Sequence, residues 1–257
     1  MKVRKYFTAV LLWMLSQSIL FGQINGHIYI DSVNDKKPLK AGEIVGLAVP
    51  SAMVIYGLIS LGDNGIREID YNTKNSLEKN NRFWHIKTDD YLQYAPAVAT
   101  YAMKLCKVES THNLLDMTIL YGISSLIAGG LTQGSKIIFN RERPDKSNSR
   151  SFPSGHTQTA FVAAEFLHQE FKDKSVWISI GGYSVATFVG IARIYNNKHW
   201  LSDVVAGAGI GIISTKAVYW AYPHFRKKTG EKDKSPKLLI VPTHGNGNTG
   251  LALSYTF

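Results

Sequence analysis

A lysine, two arginines, two histidines and an aspartate fall into three short stretches of this chain, and their types and spacing define the chemistry open to them. The stretch KIIFNRERP places Lys136 and Arg143 with six residues between them and Pro144 directly after. PSGH, Pro153 to His156, stands where a helical pattern begins. ARIYNNKHWLSD carries Arg193, then His199 after five intervening residues, then Asp203 after three more. Singly, each stretch has an ordinary structural explanation. Lys136 and Arg143 suit a solvated helix end closed by proline, Ser154 with Gly155 suits an N-cap, and His199 with Asp203 suits an i, i+4 surface pair. Together they supply two guanidinium forks, an ammonium, the amides of a helix start, two histidines and a carboxylate able to orient one of them. That set fits a bound phosphate, whose oxygens are neutralised by bidentate arginines and by backbone N–H groups. One histidine is then free to attack and the other to move a proton.

Helices must position these groups. Apolar runs occupy 44–61, 92–106, 114–135, 176–192 and 204–222, and a further helical pattern covers 156–171, where Ala160, Ala163, Ala164, Leu167 and Phe171 share a face. Six helices with short connections predict an all-α bundle with the three polar stretches at helix ends. Gly207 and Gly211, four residues apart, flatten one face of the last helix for close packing. Residues 62–90 are polar and read as a loop with short helices, with Phe83 and Trp84 as docking aromatics. Asp116, Glu165, His168 and Lys216 interrupt the apolar patterns and must face the bundle interior wherever a helix meets lipid.

At 257 residues the chain has the size of one domain. Residues 1–23, basic and then apolar, read as a signal peptide cut near Gly22 or Gln23, with retention as an anchor the alternative. A linker at 24–40 precedes the helical domain at 41–228. In the tail, 229–257, two β-like runs flank Gly245-Asn246-Gly247-Asn248 and read as a hairpin. An exported chain is expected in the cell envelope, periplasmic or membrane-associated, with its site facing the periplasm. Six full crossings would carry Lys136 and His156 to the cytoplasmic side. The expectation is therefore a bundle that does not span fully, or a segment such as 92–106 that does not cross.

A net charge of +10 points to an anionic partner. The basic residues are scattered without aromatic interleaving, which argues against nucleic acid. The single cysteine, Cys106, is expected as buried apolar filler, and no Cys/His cluster has metal-ligand spacing. His85, His112, His168, His224 and His244 are expected to be structural. Arg141 and Arg150 flank the first polar loop, as contacts to a second phosphate or headgroup or as solvated side chains.

The three stretches resemble the signature of the type 2 phosphatidic acid phosphatase (PAP2) and vanadium haloperoxidase superfamily: Lys-x6-Arg-Pro, Pro-Ser-Gly-His and Ser-Arg-x5-His-x3-Asp. The resemblance covers residues 115–222 in order and spacing, and departs at Ala192, where the family has serine. It implies His199 as the nucleophile forming a phosphohistidine, Asp203 as its orienting partner and His156 as the general acid. Lys136, Arg143 and Arg193 would hold the phosphoryl oxygens, with the amides of Ser154 and Gly155 as further donors. Metal and other cofactors are not expected, and vanadate is expected to inhibit. SFPSGHTQTAFVAAEFLHQEF and RIYNNKHWLSDVVAGAGIGI look similar to the lipid A phosphatase branch, which implies a lipid phosphate as substrate and a membrane surface as partner. Undecaprenyl pyrophosphate, phosphatidylglycerol phosphate and soluble phosphomonoesters are the alternatives, followed by vanadate haloperoxidase chemistry and non-catalytic phosphate binding. Nothing in the sequence sets an oligomeric state.

Overall fold

The computed structural model describes residues 41–80, 83, 87–228, 237–245 and 248–256. The expected signal peptide and linker, together with Trp84, lie outside the described residues. The described residues fall into two compact units, one ending at Tyr219 and the other beginning at Trp220. The helices are α1 (Ala41–Ile59), α2 (Gly65–Lys79), α3 (Asp89–Leu92), α4 (Ala95–Leu105), α5 (Leu114–Phe139), α6 (Gly155–Phe171), α7 (Val176–Tyr195) and α8 (Leu201–Lys228). All six expected helices form, and the polar interval 62–90 adds α2 and α3. The all-α reading of the bundle holds.

Side-chain caps set several of the helix starts. Asn64 accepts from the Ile66 and Arg67 amides at α2, Asn113 from Asp116 at α5, Ser154 from Thr157 at α6 and Ser175 from Trp177 at α7. At the far end of α5, Asn140 takes a left-handed conformation at φ 43° and its amide bonds the Lys136 carbonyl. That turn stops the helix just after Lys136 and swings Arg143 into the following loop.

α6 is the axis of the bundle. The sequence pattern predicts one apolar face, but Phe161, Val162 and Phe166 are buried as well as Ala160, Ala163, Ala164, Leu167 and Phe171. It packs against Ala186 and Val189 of α7 and Ala208 of α8 in one cluster. A second cluster joins Ala163 and Phe166 to Ala97 of α4 and Met117 of α5, and a third joins Val162 to Ala128 of α5 and Ile210 of α8. Small residues permit this enclosure. A methyl group at Gly207 would lie 2.6 Å from the Ser154 carbonyl oxygen, and one at Gly211 would lie 2.7 Å from that of Gln158. The glycine face of α8 therefore lies directly on the start of α6.

The polar residues within the apolar patterns are paired as lipid exclusion requires. Glu165 is fully buried, 3.0 Å from Lys216, and also bonds Gln169 and the Tyr183 hydroxyl. His112 meets Glu170 at 2.9 Å, and His168 bonds Ser179 at 2.8 Å. Both histidines are structural, as expected. Cys106 corrects its expectation: it is exposed, because α4 ends there and does not carry it into the core.

The segments Leu114–Phe139, Val176–Tyr195 and Leu201–Pro223 are long and apolar enough to cross a membrane. Leu126, Ile137 and Trp177 are each about three-quarters exposed, so an apolar belt faces outward and the chain is membrane-associated. The eleven residues of α4 reach about 16 Å, roughly half a hydrocarbon core.

The second unit contains an antiparallel hairpin, β1 (Lys237–Gly245) and β2 (Asn248–Thr256), in a register that pairs Gly245 with Asn248. The strands flank Asn246-Gly247, where the sequence predicts the turn.

The α6–α8 contact yields a direct test. Gly207→Val is expected to destabilise the fold by about 1–3 kcal/mol, because the new side chain meets backbone that cannot yield. Thermal unfolding in detergent measures it, and an unchanged midpoint would contradict the close packing.

Candidate active site

Asp203, in the first turn of α8, is completely buried, and donors from three separate stretches converge on it. Arg141 Nη1 donates to Oδ1 at 2.7 Å, while the Ser151 hydroxyl and the Trp200 amide, the latter at 3.0 Å, donate to Oδ2. His199 Nδ1 stands 3.6 Å from the same Oδ2, longer than a hydrogen bond but close enough for the carboxylate to orient the ring and stabilise a positive charge on it. His199 is 3% exposed. Burial pushes its pKa down to about 4, against the upward pull of Asp203 and with the help of Lys136 and Arg193. The imidazole is thus neutral at physiological pH, the form with a lone pair to donate.

The cations gather round it from two other helix ends. Lys136, in the last turn of α5, is 8% exposed and gives two of its three donors to the carbonyls of Arg150, at 2.8 Å, and Pro153, at 2.7 Å. It lies within electrostatic reach of Arg143, Arg193 and Asp203. Arg143 is anchored by its amide to the Asn148 carbonyl at 2.9 Å. Burial, then the charge of Arg193, lowers its pKa. Among the described residues, Arg143 Nε and Arg193 Nε are buried and have no hydrogen-bond partner. Like charges crowded together with unpaired buried donors are unfavourable alone and suit an anion.

His156 stands in the first turn of α6, and Arg193 is within electrostatic reach of both histidines. The structure therefore brings Lys136, Arg143, His156, Arg193, His199 and Asp203 together. Ser154 is a correction. Its amide donates to the Asp203 carbonyl at 3.0 Å and its hydroxyl caps α6, so its amide is committed to joining α6 to α8 and does not serve a phosphate. Gly155, as the first residue of α6, has no carbonyl one turn back in its own helix to satisfy its N–H.

Several participants escaped the sequence reading. Arg141 is committed to carboxylates: Nη2 bonds Asp70 at 2.7 Å, Nη1 bonds Asp203, and its guanidinium lies 5.5 Å from the Trp200 ring. Asp70 of α2 also accepts from the Ser202 amide at 2.9 Å and from its hydroxyl at 2.5 Å. Asp89 of α3, fully buried, pairs with Arg193 at 2.5 Å, and Asp90 meets His156 at 2.8 Å. The available signal was weak: acidic residues in a polar interval look like a solvated loop. Arg150 is exposed, and its carbonyl accepts a hydrogen bond from Lys136.

The sequence model of the PAP2 superfamily matches residues 117–227, which contain all three stretches. Over those residues, a little under half of the chain, the sequence resembles the PAP2 superfamily. It is 36% identical over 177 residues to the lipid A 1-phosphatase of Porphyromonas gingivalis, covering 68% of this chain and 38% of that one. It is 30% identical over 142 residues to phosphatidylglycerophosphatase B of Bacillus subtilis, covering 50% of this chain and 66% of that one. It is also similar to the crystal structure of Aquifex aeolicus LpxE, with a TM-score of 0.46 and 21% identity over 62% of this chain and 97% of that one. The chain thus spans little more than a third of the first of these relatives and just under two thirds of the second. Lys136 lies in the last turn of α5 with Arg143 in the loop beyond it, while Arg193 lies in the last turn of α7, His199 stands in the following loop and Asp203 is in the first turn of α8.

Arg141 tests the framework of the site. Arg141→Met leaves Asp70 and Asp203 buried without their cation, and a loss of about 3–5 kcal/mol is expected. Thermal unfolding of purified protein reads it; a stability equal to wild type would show that the network is not needed.

Proposed function

We propose that the chain is a metal-independent phosphatase of the cell envelope. It hydrolyses a lipid phosphate monoester, with lipid A phosphate as the preferred substrate, through a phosphohistidine intermediate. The observation that carries this reading is the pair of buried, unpartnered Nε donors on Arg143 and Arg193, beside the ammonium of Lys136 and the neutral His199. These three cations face the phosphoryl oxygens and stabilise the charge that grows on them in the transition state. The Gly155 amide adds a donor. His199 Nε2 attacks phosphorus in line with the leaving oxygen, and the Asp203 carboxylate stabilises the ring as it becomes cationic. His156 protonates the leaving oxygen, then takes a proton from the water that cleaves the N–P bond.

Among the described residues, no group of three or more His, Cys, Asp and Glu side chains is arranged to hold a metal ion. In the proposed reaction the three basic side chains carry the charge neutralisation that metal ions supply in other phosphatases. The lipid substrate is supported by the outward apolar belt and by the similarity to a lipid A 1-phosphatase. The site opens on the periplasmic side of the membrane, where an exported chain would meet that substrate.

His199→Ala and His156→Ala are each expected to lower phosphate release from a lipid phosphate by at least about 100-fold while helical content by circular dichroism stays unchanged. Full activity in either variant would refute the assignment. Phosphate release is expected to survive a chelator and to be inhibited by orthovanadate; activity lost to chelator and restored by a divalent ion would point to a metal-dependent enzyme. Mass spectrometry of lipid A from cells lacking the protein is expected to show an added phosphate, and an unchanged phosphate count would remove lipid A from the substrate assignment.

A further inference from the structure

The proposed reaction uses two histidines, and the carboxylate of the second lies in an interval whose sequence gave no sign of it. His156 Nε2 is 2.8 Å from Asp90 Oδ1, a geometry of the kind that fixes an imidazole tautomer. Asp90 is held in place from several directions. Its neighbour Asp89 is buried and pinned by Arg193 Nη1 at 2.5 Å and by Asn196 Nδ2 at 3.2 Å. The Asp90 amide donates to the Lys87 carbonyl at 3.1 Å, and Gln93 Nε2 donates to the Asp90 carbonyl at 2.7 Å. The side chains are 47% exposed for Asp90 and 32% for His156, so the pair lies at the mouth of the site and not in its core.

We propose that Asp90 is a positioning residue for His156, forming a second carboxylate–imidazole pair that occupies Nε2 and leaves Nδ1 as the nitrogen that exchanges protons with the reacting oxygens. This inference rests on the phosphatase reading above. With Nε2–H bound to Asp90, the imidazolium carries its transferable proton on Nδ1. That proton passes to the leaving oxygen as the P–O bond breaks and the bond from His199 Nε2 to phosphorus forms. The neutral ring keeps Nε2–H on Asp90. Nδ1 then accepts a proton from water as the water oxygen bonds phosphorus and the N–P bond breaks. Alcohol and phosphate leave, and both rings return to their starting states.

The charges facing His156 are Arg193 from α7 and Asp89 and Asp90 from α3. Burial and then Arg193 lower the His156 pKa, Asp90 and Asp89 raise it, and the balance falls below the ordinary value. Removing the Asp90 charge lowers it further. A general acid works only while protonated, so the alkaline limb of the kcat profile should move to lower pH.

Asp90→Asn and Asp90→Glu, assayed in detergent on two esters, test the inference. Phosphatidic acid has a poor alkyl leaving group that needs a proton, whereas p-nitrophenyl phosphate leaves readily without one. The expected result for Asp90→Asn is a loss of about 10- to 100-fold in kcat on phosphatidic acid, with KM little changed, a much smaller loss on p-nitrophenyl phosphate, and the shifted alkaline limb. Asp90→Glu should recover part of the loss. Equal losses on both esters would show a merely structural role. Unchanged kcat and pH profile, or turnover that rises on both esters, would show that Asp90 only fills the anion site; either result overturns the inference and leaves the phosphatase reading intact. A wild-type protein that releases phosphate from neither ester removes that reading, and the inference with it.

Discussion

A carboxylate cannot be buried among apolar helices unless donors surround it, and that requirement at Asp203 shapes the whole site. Arg141 comes from the loop after α5, Ser151 from the approach to α6, and the Trp200 amide from the approach to α8. Satisfying one carboxylate therefore fixes three chain segments relative to one another. The Asp203 carbonyl extends the effect by accepting the Ser154 amide, which ties the start of α6 to α8. His199, one turn before Asp203, and His156, two residues after Ser154, are set by the same hub. Arg141 links it to Asp70, so α2 also depends on it.

Around this hub the chain assembles like charges that repel one another. Lys136, Arg143 and Arg193 come from the ends of α5 and α7 and the loop after α5, each half-buried or more deeply so. The fold offsets part of the repulsion with carbonyls on Lys136 and with Asp89 on Arg193, but two guanidinium Nε donors stay without a partner among the described residues. A site preorganised in this way would spend little reorganisation on the doubly charged phosphoryl group of the proposed reaction. The same burial keeps His199 neutral, the state that the proposed nucleophilic role requires.

The apolar exterior and the polar site are consequences of the same helices. α5, α7 and α8 carry long apolar stretches, and each has its functional residue in a terminal turn or just beyond it. A lipid-facing helix cannot carry unpaired charge along its length, so chemistry collects at its ends, while Glu165 and Lys216 are tolerated mid-bundle because they pair inward.

Spacing along single helices was legible in the sequence. Apolar periodicity located six helices, and Lys136 with Arg143, and His199 with Asp203, could be paired because a helix end fixes their separation. The glycine pair Gly207 and Gly211 marked its face for close packing, and the hairpin followed from its turn residues. What crosses between elements was not legible. Asp70, Asp89 and Asp90 lie in an interval whose polarity reads as a solvated loop, and only folding brings them to Arg141, Arg193 and His156. The Ser154 amide looked free because a helix start leaves N–H groups open, yet the Asp203 carbonyl takes it. Cys106 looked buried because apolar neighbours surround it in sequence. The sequence by itself determined which groups can do chemistry and which helix ends carry them, since both depend on residue type and local period. Only the tertiary structure decided which charges are paired and which donors stay open, because those depend on distances between residues on different elements, up to 104 positions apart for Arg193 and Asp89.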